Sequence, residues 1–211
     1  MNEKNNKLIG HGFVPDDITP DQYVFGSEQL TGKVIQDNGN WLPFLPKEEP
    51  QARLYFDTYG CTIYNTFNPI EILENKQFGE KSDYAERFPY IGTGTRPPGN
   101  NPHVICEWIR KNGLILEEFL PFNDSLQSFD EYITPDPLPI WLTDNGKKWL
   151  ETKTFNHDWG WNQVNSVQEK HERQKDMLRY CPVSVSVCAW RESSGIYYKD
   201  DGDTDNHWTS C

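Results

Sequence analysis

The order of helical and strand-like patterns along the chain constrains its fold more than any other feature. Between residues 61 and 74, apolar side chains recur every three or four positions, the spacing of one helix face: Ile63, Phe67, Ile70 and Leu73. Residues 182–190 instead alternate over most of their length, as in a strand with one buried face. Because helical patterns come first and strand patterns last, the sequence predicts an α+β fold.

Proline and the capping residues set the expected helix boundaries. Pro69 interrupts the first helical pattern and predicts either a kink or two abutting helices, because proline removes a donor and strains the preceding turn. A second helix is expected to begin at Asn101-Pro102 and to end at Gly113, with Asn101 as its cap. Residues 163–180 are polar and also permit a helix.

The two ends of the chain differ in character. Residues 1–50 are interrupted repeatedly by Pro and Gly and predict an extended segment wrapped over a body, with one plausible short strand at residues 33–36. Near the other end, residues 195–198 predict a second short strand, and a third is expected to begin at His207.

The charge balance is strongly acidic. The chain of 211 residues carries 20 Lys and Arg against 32 Asp and Glu, a net charge of −12 with neutral histidines. A polyphosphate repels such a chain without a local basic patch, and the sequence has none, so we expect no binding to nucleic acid or to an anionic membrane surface. No apolar run approaches the roughly 20 residues of a membrane span. Residues 1–30 lack the pattern of a signal peptide, so we expect a cytoplasmic or virion-associated location.

Neither the cysteines nor the acidic turn predicts a metal site or another cofactor. The five cysteines are scattered and never form C-x-x-C, so free thiols are expected rather than disulfides or zinc ligands. The spacing of aspartates between Asp200 and Asp205 is that of the start of a calcium loop. Asn206 stands where such a loop has Gly, so we interpret the segment as a solvated turn.

Cys61 and His207 are the candidate catalytic residues. Cys61 lies at the N-terminal end of the first predicted helix, where partial positive charge and free N–H groups lower the pKa of a thiol. The alternative is a small buried thiol in a core helix. An imidazole within hydrogen-bond reach of a thiol takes its proton and leaves a nucleophilic thiolate, and His207 would be that base.

Several segments, in this order, resemble papain-like cysteine peptidases of the bacterial and phage type. Residues 59–62 (YGCT) resemble the nucleophile helix of that family, and residues 99–122 resemble its second helix with the turn and stretch that follow. Residues 182–187 resemble the strand before the catalytic histidine, and residues 195–207 resemble the run that delivers it. The 146 positions from Cys61 to His207 fit the family's spacing of about 130–150.

The resemblance implies a papain-like fold of two lobes. The helical lobe would span about residues 51–125, the antiparallel β lobe about residues 126–211, and residues 1–50 would form an N-terminal strap. It also implies cleavage of peptide bonds without a cofactor. Cys61 would attack the carbonyl, and His207 would serve first as base and then as acid.

Departures from the family pattern concern the oxyanion hole. The family has a glutamine six residues before the cysteine, and Tyr55 stands at that place. A tyrosine hydroxyl donates one hydrogen bond and is a weak substitute. Gln51 lies ten residues before Cys61 and would serve only if the connecting loop is longer.

The sequence departs from the family pattern a second time near Cys211, and this departure leaves functions other than peptide cleavage open. The chain ends at Cys211, four residues after His207, before the Asn or Asp that orients the imidazole in the family. We therefore expect a missing C-terminal segment or a partner chain to complete the site. The alternative is an inactive papain-like scaffold with a structural or binding role, for example in a phage virion or tail. A third possibility is cleavage of amides in peptidoglycan by the same Cys–His pair, in a virion-associated protein.

Overall fold

The computed structural model describes residues 12–15, 33–52, 54–158, 166–188, 191–193, 196–198, 202 and 204–210. Its helices are α1 (Cys61–Phe78), α2 (Arg87–Gly92), α3 (Pro102–Asn112), α4 (Phe129–Tyr132), α5 (Ile140–Thr152) and α6 (Val167–Met177). Its strands are β1 (Gly12–Phe13), β2 (Gly99–Asn100), β3 (Ser184–Val187), β4 (Arg191–Ser193), β5 (Ile196–Tyr198) and β6 (His207–Ser210). Apart from β1 and β2, the helices precede the strands, as the sequence predicts.

The strands of the described residues pair two by two. β3 and β6 are antiparallel, with Val187 opposite His207 and Ser184 opposite Ser210. β4 and β5 form a second antiparallel pair. β1 is parallel to β2, with Gly12 opposite Gly99. The strands predicted at 182–190, at 195–198 and from His207 are thus confirmed within the described residues.

α1 is the helix around which the rest of the chain packs. Ile63, Phe67 and Ile70 are buried in the main apolar core, as their spacing predicts. The helix continues through Pro69, so the alternative of two abutting helices is wrong. Proline has no N–H to donate, and the Asn65 carbonyl therefore lacks its usual partner within the helix.

The boundaries of α3 follow the local chemistry of its sequence. The Asn101 side chain accepts a hydrogen bond from the Val104 backbone N–H over 2.8 Å, and Pro102 occupies the first helical position. Gly113 ends the helix with a φ of +71°. Its N–H donates to the Ile109 carbonyl over 2.7 Å. The predicted start, cap and end are confirmed.

Residues 33–36 do not form the predicted strand. The Ile35 N–H instead donates to the Arg179 carbonyl over 2.9 Å. The Trp41 indole N–H donates to the Leu178 carbonyl over 2.7 Å. This part of the N-terminal segment is therefore bound to the chain that follows α6, and it pairs with no strand among the residues that the structure describes.

The predicted domain boundaries at residues 50 and 125 stay predictions. Most of the expected strap, residues 1–11 and 16–32, lies outside the described residues. Over the part of the chain that the structure describes, every helix is too short or too polar to cross a membrane.

Candidate active site

The loop before α1 holds Cys61 at the helix N-terminus. Gly60 is the N-cap, and its carbonyl accepts the first helical hydrogen bond from the Ile63 N–H over 2.8 Å. The preceding residue, Tyr59, has a φ of +55°, a left-handed conformation that is uncommon for a residue with a side chain. Asp57 stabilises that conformation by accepting the Tyr59 N–H over 2.7 Å.

Thr58 ties this loop to the core. Its hydroxyl accepts the Gly60 N–H over 3.1 Å and donates to the Gln51 carbonyl over 3.1 Å. Its own carbonyl accepts the Tyr90 hydroxyl over 2.6 Å. Because Thr58 is fully buried, these bonds form away from competing water. Through Thr58, the backbone that leads to Cys61 is therefore bound both to Gln51 and to Tyr90 of α2.

Gln51, but not Tyr55, is held beside this loop. Ala52 and Asp57 form an antiparallel bridge. The Gln51 side-chain amide donates a hydrogen bond to Asp57 over 2.8 Å. Tyr55 lies between the bridged residues and is 55% exposed, which gives no fixed, water-excluded donor. The choice between Gln51 and Tyr55 as oxyanion donor stays a prediction.

β6 brings the neighbour of His207 to the Cys61 thiol. His207 begins the strand, and the backbone of Trp208 makes a hydrogen bond to the thiol. The Asn65 side chain, one helical turn after Cys61, donates to the Trp208 carbonyl over 2.5 Å and to the Cys61 carbonyl over 3.0 Å. The two candidate catalytic residues thus lie on elements that meet at this point.

The pKa of Cys61 differs from the sequence prediction. Cys61 exposes none of its surface, and this burial raises its pKa to about 12. Backbone hydrogen bonds from Trp208 and Thr62 lower the pKa, and the negative charge of Asp57 raises it further. The predicted lowering is therefore wrong for this conformation, because loss of hydration outweighs the helix N-terminus.

A segment from the N-terminal part of the chain covers the backbone at the start of α1. Gly12, in β1, packs so closely that a Cβ there would lie 2.3 Å from the Tyr59 carbonyl oxygen and 3.1 Å from the Cys61 backbone nitrogen. Its φ of +102° also requires glycine. The next residue, Phe13, stacks on Trp208. This conformation is closed, because β1 occupies the approach to the Cys61 backbone N–H.

Metal-binding geometry is absent from the described residues, among which no group of three or more His, Cys, Asp or Glu could hold an ion. The acidic turn lies largely outside them, since Asp200, Asp201 and Asp203 are not described. Asp205 is described, and its carboxylate accepts the Ser186 hydroxyl over 2.7 Å.

Sequence reasoning missed two parts of this site. The contacts of Gly12 with the loop before α1 and of Phe13 with Trp208 have no local signal, because they join segments far apart in the chain. The hydrogen bond of Asn65 to β6 cannot be read from spacing along one helix. The roles of Cys61, His207, Gln51 and Tyr55 stay predictions.

The fold is similar to that of xylellain, a cysteine protease from Xylella fastidiosa, with a TM-score of 0.58 and 15% sequence identity. The match covers 100% of this chain and 81% of that chain. Comparisons with family models and with curated proteins give no match. The likeness confirms the predicted α+β, papain-like fold.

Proposed function

We propose that this protein is a papain-like thiol hydrolase that cleaves peptide bonds, with Cys61 as nucleophile and His207 as its base. The observation that carries the proposal is the junction of α1 and β6. Cys61 begins the helix, and the residue that follows His207 makes a backbone hydrogen bond to its thiol. The fold shared with a cysteine protease supports the same reading.

The reaction would proceed in two halves. His207 takes the proton of the Cys61 thiol, and the thiolate sulfur bonds to the substrate carbonyl carbon. His207 then protonates the leaving amine as the C–N bond breaks, which leaves a thioester on Cys61. Water, deprotonated by His207, attacks the thioester and releases the carboxylic acid and the thiol.

Two groups would stabilise the oxyanion that forms at the carbonyl. The Cys61 backbone N–H lies at the start of α1, where helical N–H groups are free of partners within the helix. The second is the Gln51 side-chain amide, held beside the loop by Asp57. Gln51 would have to turn from Asp57 toward the substrate.

The closed conformation must open before a substrate reaches the sulfur. Gly12 lies over the backbone of Tyr59 and Cys61, so β1 and a substrate carbonyl compete for the same space. Displacing β1 would also rehydrate the thiol and move its pKa down from about 12. The proposed enzyme thus reacts only through the fraction of molecules in which β1 has moved away, and labelling of wild type reports that open fraction.

The burial of Cys61 favours a second candidate function, an inactive scaffold. Cys61 has no exposed surface and a pKa of about 12. A structural cysteine in a protein core has the same two properties, burial and a raised pKa. In that case the protein would be a structural or binding component, for example of a virion or tail. For the enzyme, proteins and the peptide amides of peptidoglycan are both candidate substrates, and a partner chain completing the site belongs to the same proposal.

Thiol labelling separates the two functions. Wild type and His207→Ala are treated with a small alkylating agent between pH 5 and pH 8, and the modified cysteines are identified by peptide mass spectrometry. Cys106 is the matched control, because it is also buried with a pKa of about 12. The enzyme predicts that Cys61 reacts faster than Cys106 at pH 5–6 and that His207→Ala abolishes the difference. Equal rates for both cysteines in both proteins would establish the scaffold.

A further inference from the structure

The Asn65 side chain joins the helix that begins with Cys61 to the strand that begins with His207. Its amide nitrogen donates to the Trp208 carbonyl over 2.5 Å and to the Cys61 carbonyl over 3.0 Å. Its amide oxygen accepts the Ser210 hydroxyl over 3.0 Å. One side chain therefore binds β6 at two residues and α1 at one.

The Asn65 backbone takes part in the same junction. Its carbonyl would normally accept the N–H four residues later, but that residue is Pro69. The Ser184 hydroxyl, from β3, donates to this carbonyl instead over 2.7 Å. Ser184 and Ser210 are opposite each other in the β3–β6 pair, so both strands reach α1 at one residue. The proline that interrupts the helical pattern thus frees an acceptor for the sheet.

This junction lies next to the reacting groups. Asn65 is one turn along α1 from Cys61, and Trp208 directly follows His207. A shift of the Trp208 carbonyl would move the His207 backbone with it. Catalysis is sensitive to such shifts, since a misplacement of about 1 Å can cost on the order of 100-fold in rate.

We propose that Asn65 is a positioning residue, whose amide fixes β6 against α1 and so sets the placement of the His207 imidazole relative to the Cys61 thiol. The inference rests on the proposed function, since it assigns Asn65 a part in the same Cys–His chemistry. Asn65 itself touches neither a substrate carbonyl nor the transferred proton. Its effect passes through Trp208.

Hydrogen exchange tests the docking separately from the chemistry. Exchange of the backbone amides of residues 204–210 is followed in wild type, Asn65→Ala and Asn75→Ala by mass spectrometry. Asn75 is the matched control, because it lies on the same helix and also donates its amide to a backbone carbonyl, that of Phe44, over 3.1 Å. We expect exchange in β6 to be about tenfold faster in Asn65→Ala only. Unchanged exchange in β6 would overturn the inference whatever the activity.

A second pair of variants tests the carbonyl of Asn65. Ser184→Ala removes the hydroxyl that binds it, whereas Ser186→Ala removes a hydroxyl that binds Asp205 at the surface. We expect faster exchange in β6 for Ser184→Ala than for Ser186→Ala. Equal exchange in the two variants would show that the hydrogen bond from Ser184 to the Asn65 carbonyl does not help to hold β6 against α1.

The pH profile of Cys61 labelling tests the positioning role. A His207-assisted thiolate makes labelling nearly independent of pH between pH 5 and pH 8, whereas an unassisted thiol reacts faster as pH rises. Asn65→Ala and Asn65→Asp should both change the pH-independent profile to one in which labelling becomes faster as pH rises. Asp is included because it lacks the N–H that donates to the Trp208 carbonyl. Asn75→Ala should keep the wild-type profile.

The outcomes separate this inference from the proposed function. A wild type without His207-dependent labelling contradicts the proposed function, and Asn65 then has no catalytic group to position. If wild type shows that labelling and Asn65→Asp retains it, the proposed function stands and the positioning role is wrong. If the pH profile of Cys61 labelling changes in Asn65→Ala and Asn65→Asp but not in Asn75→Ala, the result supports both the proposed function and the positioning role of Asn65.

Discussion

The Phe13 ring stacks on the Trp208 indole, with ring centroids 5.4 Å apart and an angle of 14° between the planes. Phe13 follows Gly12, which packs against the backbone of Tyr59 and Cys61. Trp208 in turn makes a backbone hydrogen bond to the Cys61 thiol. The strand that carries His207 therefore also holds the covering segment in place.

Phe13→Ala should uncover Cys61. Loss of the stack and its buried area removes about 2 kcal/mol from the closed conformation, enough to raise the open population more than tenfold. The rate of Cys61 alkylation, measured by peptide mass spectrometry, should rise by a similar factor. Phe44→Ala is the control, because Phe44 lies in the same N-terminal part of the chain but packs under Lys76, at 4.7 Å, instead of on β6. An equal rise in both variants would mean general loosening rather than release of β1.

Gln51→Ala should lower kcat more than it changes KM. The side-chain amide is the second candidate oxyanion donor, and loss of one such donor typically costs about 100-fold or more in kcat. Tyr55→Phe removes the competing hydroxyl from an exposed side chain and should leave kcat within about twofold. Both are measured with a peptide substrate under conditions in which wild type is active. A large loss in Tyr55→Phe with none in Gln51→Ala would reverse the assignment of the donor.

The features that the sequence predicted well are those decided by neighbouring residues. Asn101 and Gly113 set the ends of α3 because each satisfies a backbone group within four positions, and Pro102 has no N–H to leave unpaired at the helix start. The strand within residues 182–190 was predictable for the same reason, since the alternation of its side chains is local. Cys61 at a helix N-terminus needed only the periodicity that follows it.

What could not be predicted depends on contacts between distant segments. The pKa argument for Cys61 used the charge of the helix end, which is local, but burial has the larger effect and depends on how distant segments pack around the thiol. Residues 33–36 have a strand-like composition, but among the described residues they pair with no strand. Pro69 interrupts the helical pattern of the sequence. Its consequence is that the Asn65 carbonyl accepts the Ser184 hydroxyl, and this contact joins segments far apart in the chain.

The stability of the protein should fall as pH rises from about 4.5 to 8. Burial raises the pKa of Glu71 from 4.5 to about 8 and that of Glu117 to about 7. Over this range the folded chain binds more protons than the unfolded chain, so the free energy of unfolding decreases with pH. Thermal unfolding across the range measures the trend. His157, whose pKa is lowered by burial, acts in the opposite direction near pH 6.5.

Glu71→Gln isolates one of these carboxyl groups. Gln keeps an acceptor for the Tyr84 N–H, which donates to Glu71 over 3.1 Å, but cannot ionise. The variant should match wild type near pH 4 and exceed it at pH 8 by about 4 kcal/mol. The exposed Glu118→Gln should follow the wild-type curve. If Glu71→Gln has the wild-type dependence on pH, the carboxyl group is ionised in the folded protein throughout.

Arg87→Met should destabilise the protein by about 3 kcal/mol or more, because it leaves buried carbonyls without a donor. The Arg87 side chain is almost fully buried. Its guanidinium donates to four carbonyls that belong to a part of the chain with little regular structure: Pro121 at 2.7 Å, Glu131 at 3.0 Å, Tyr132 at 2.8 Å and Thr134 at 2.5 Å. Met retains most of the apolar stem, so the loss measures the hydrogen bonds.

Arg179→Met is the control for the arginine prediction. Arg179 pairs with Asp176 over 3.3 Å on an exposed surface, where such a pair contributes less than about 1 kcal/mol. Urea unfolding of wild type and both variants gives the three free energies of unfolding. A small loss in Arg87→Met would show that water reaches the four carbonyls. In that case aromatic packing holds residues 121–134 in place. The ring centroid of Tyr132 lies 4.7 Å from that of Phe122 and 4.9 Å from that of Tyr90.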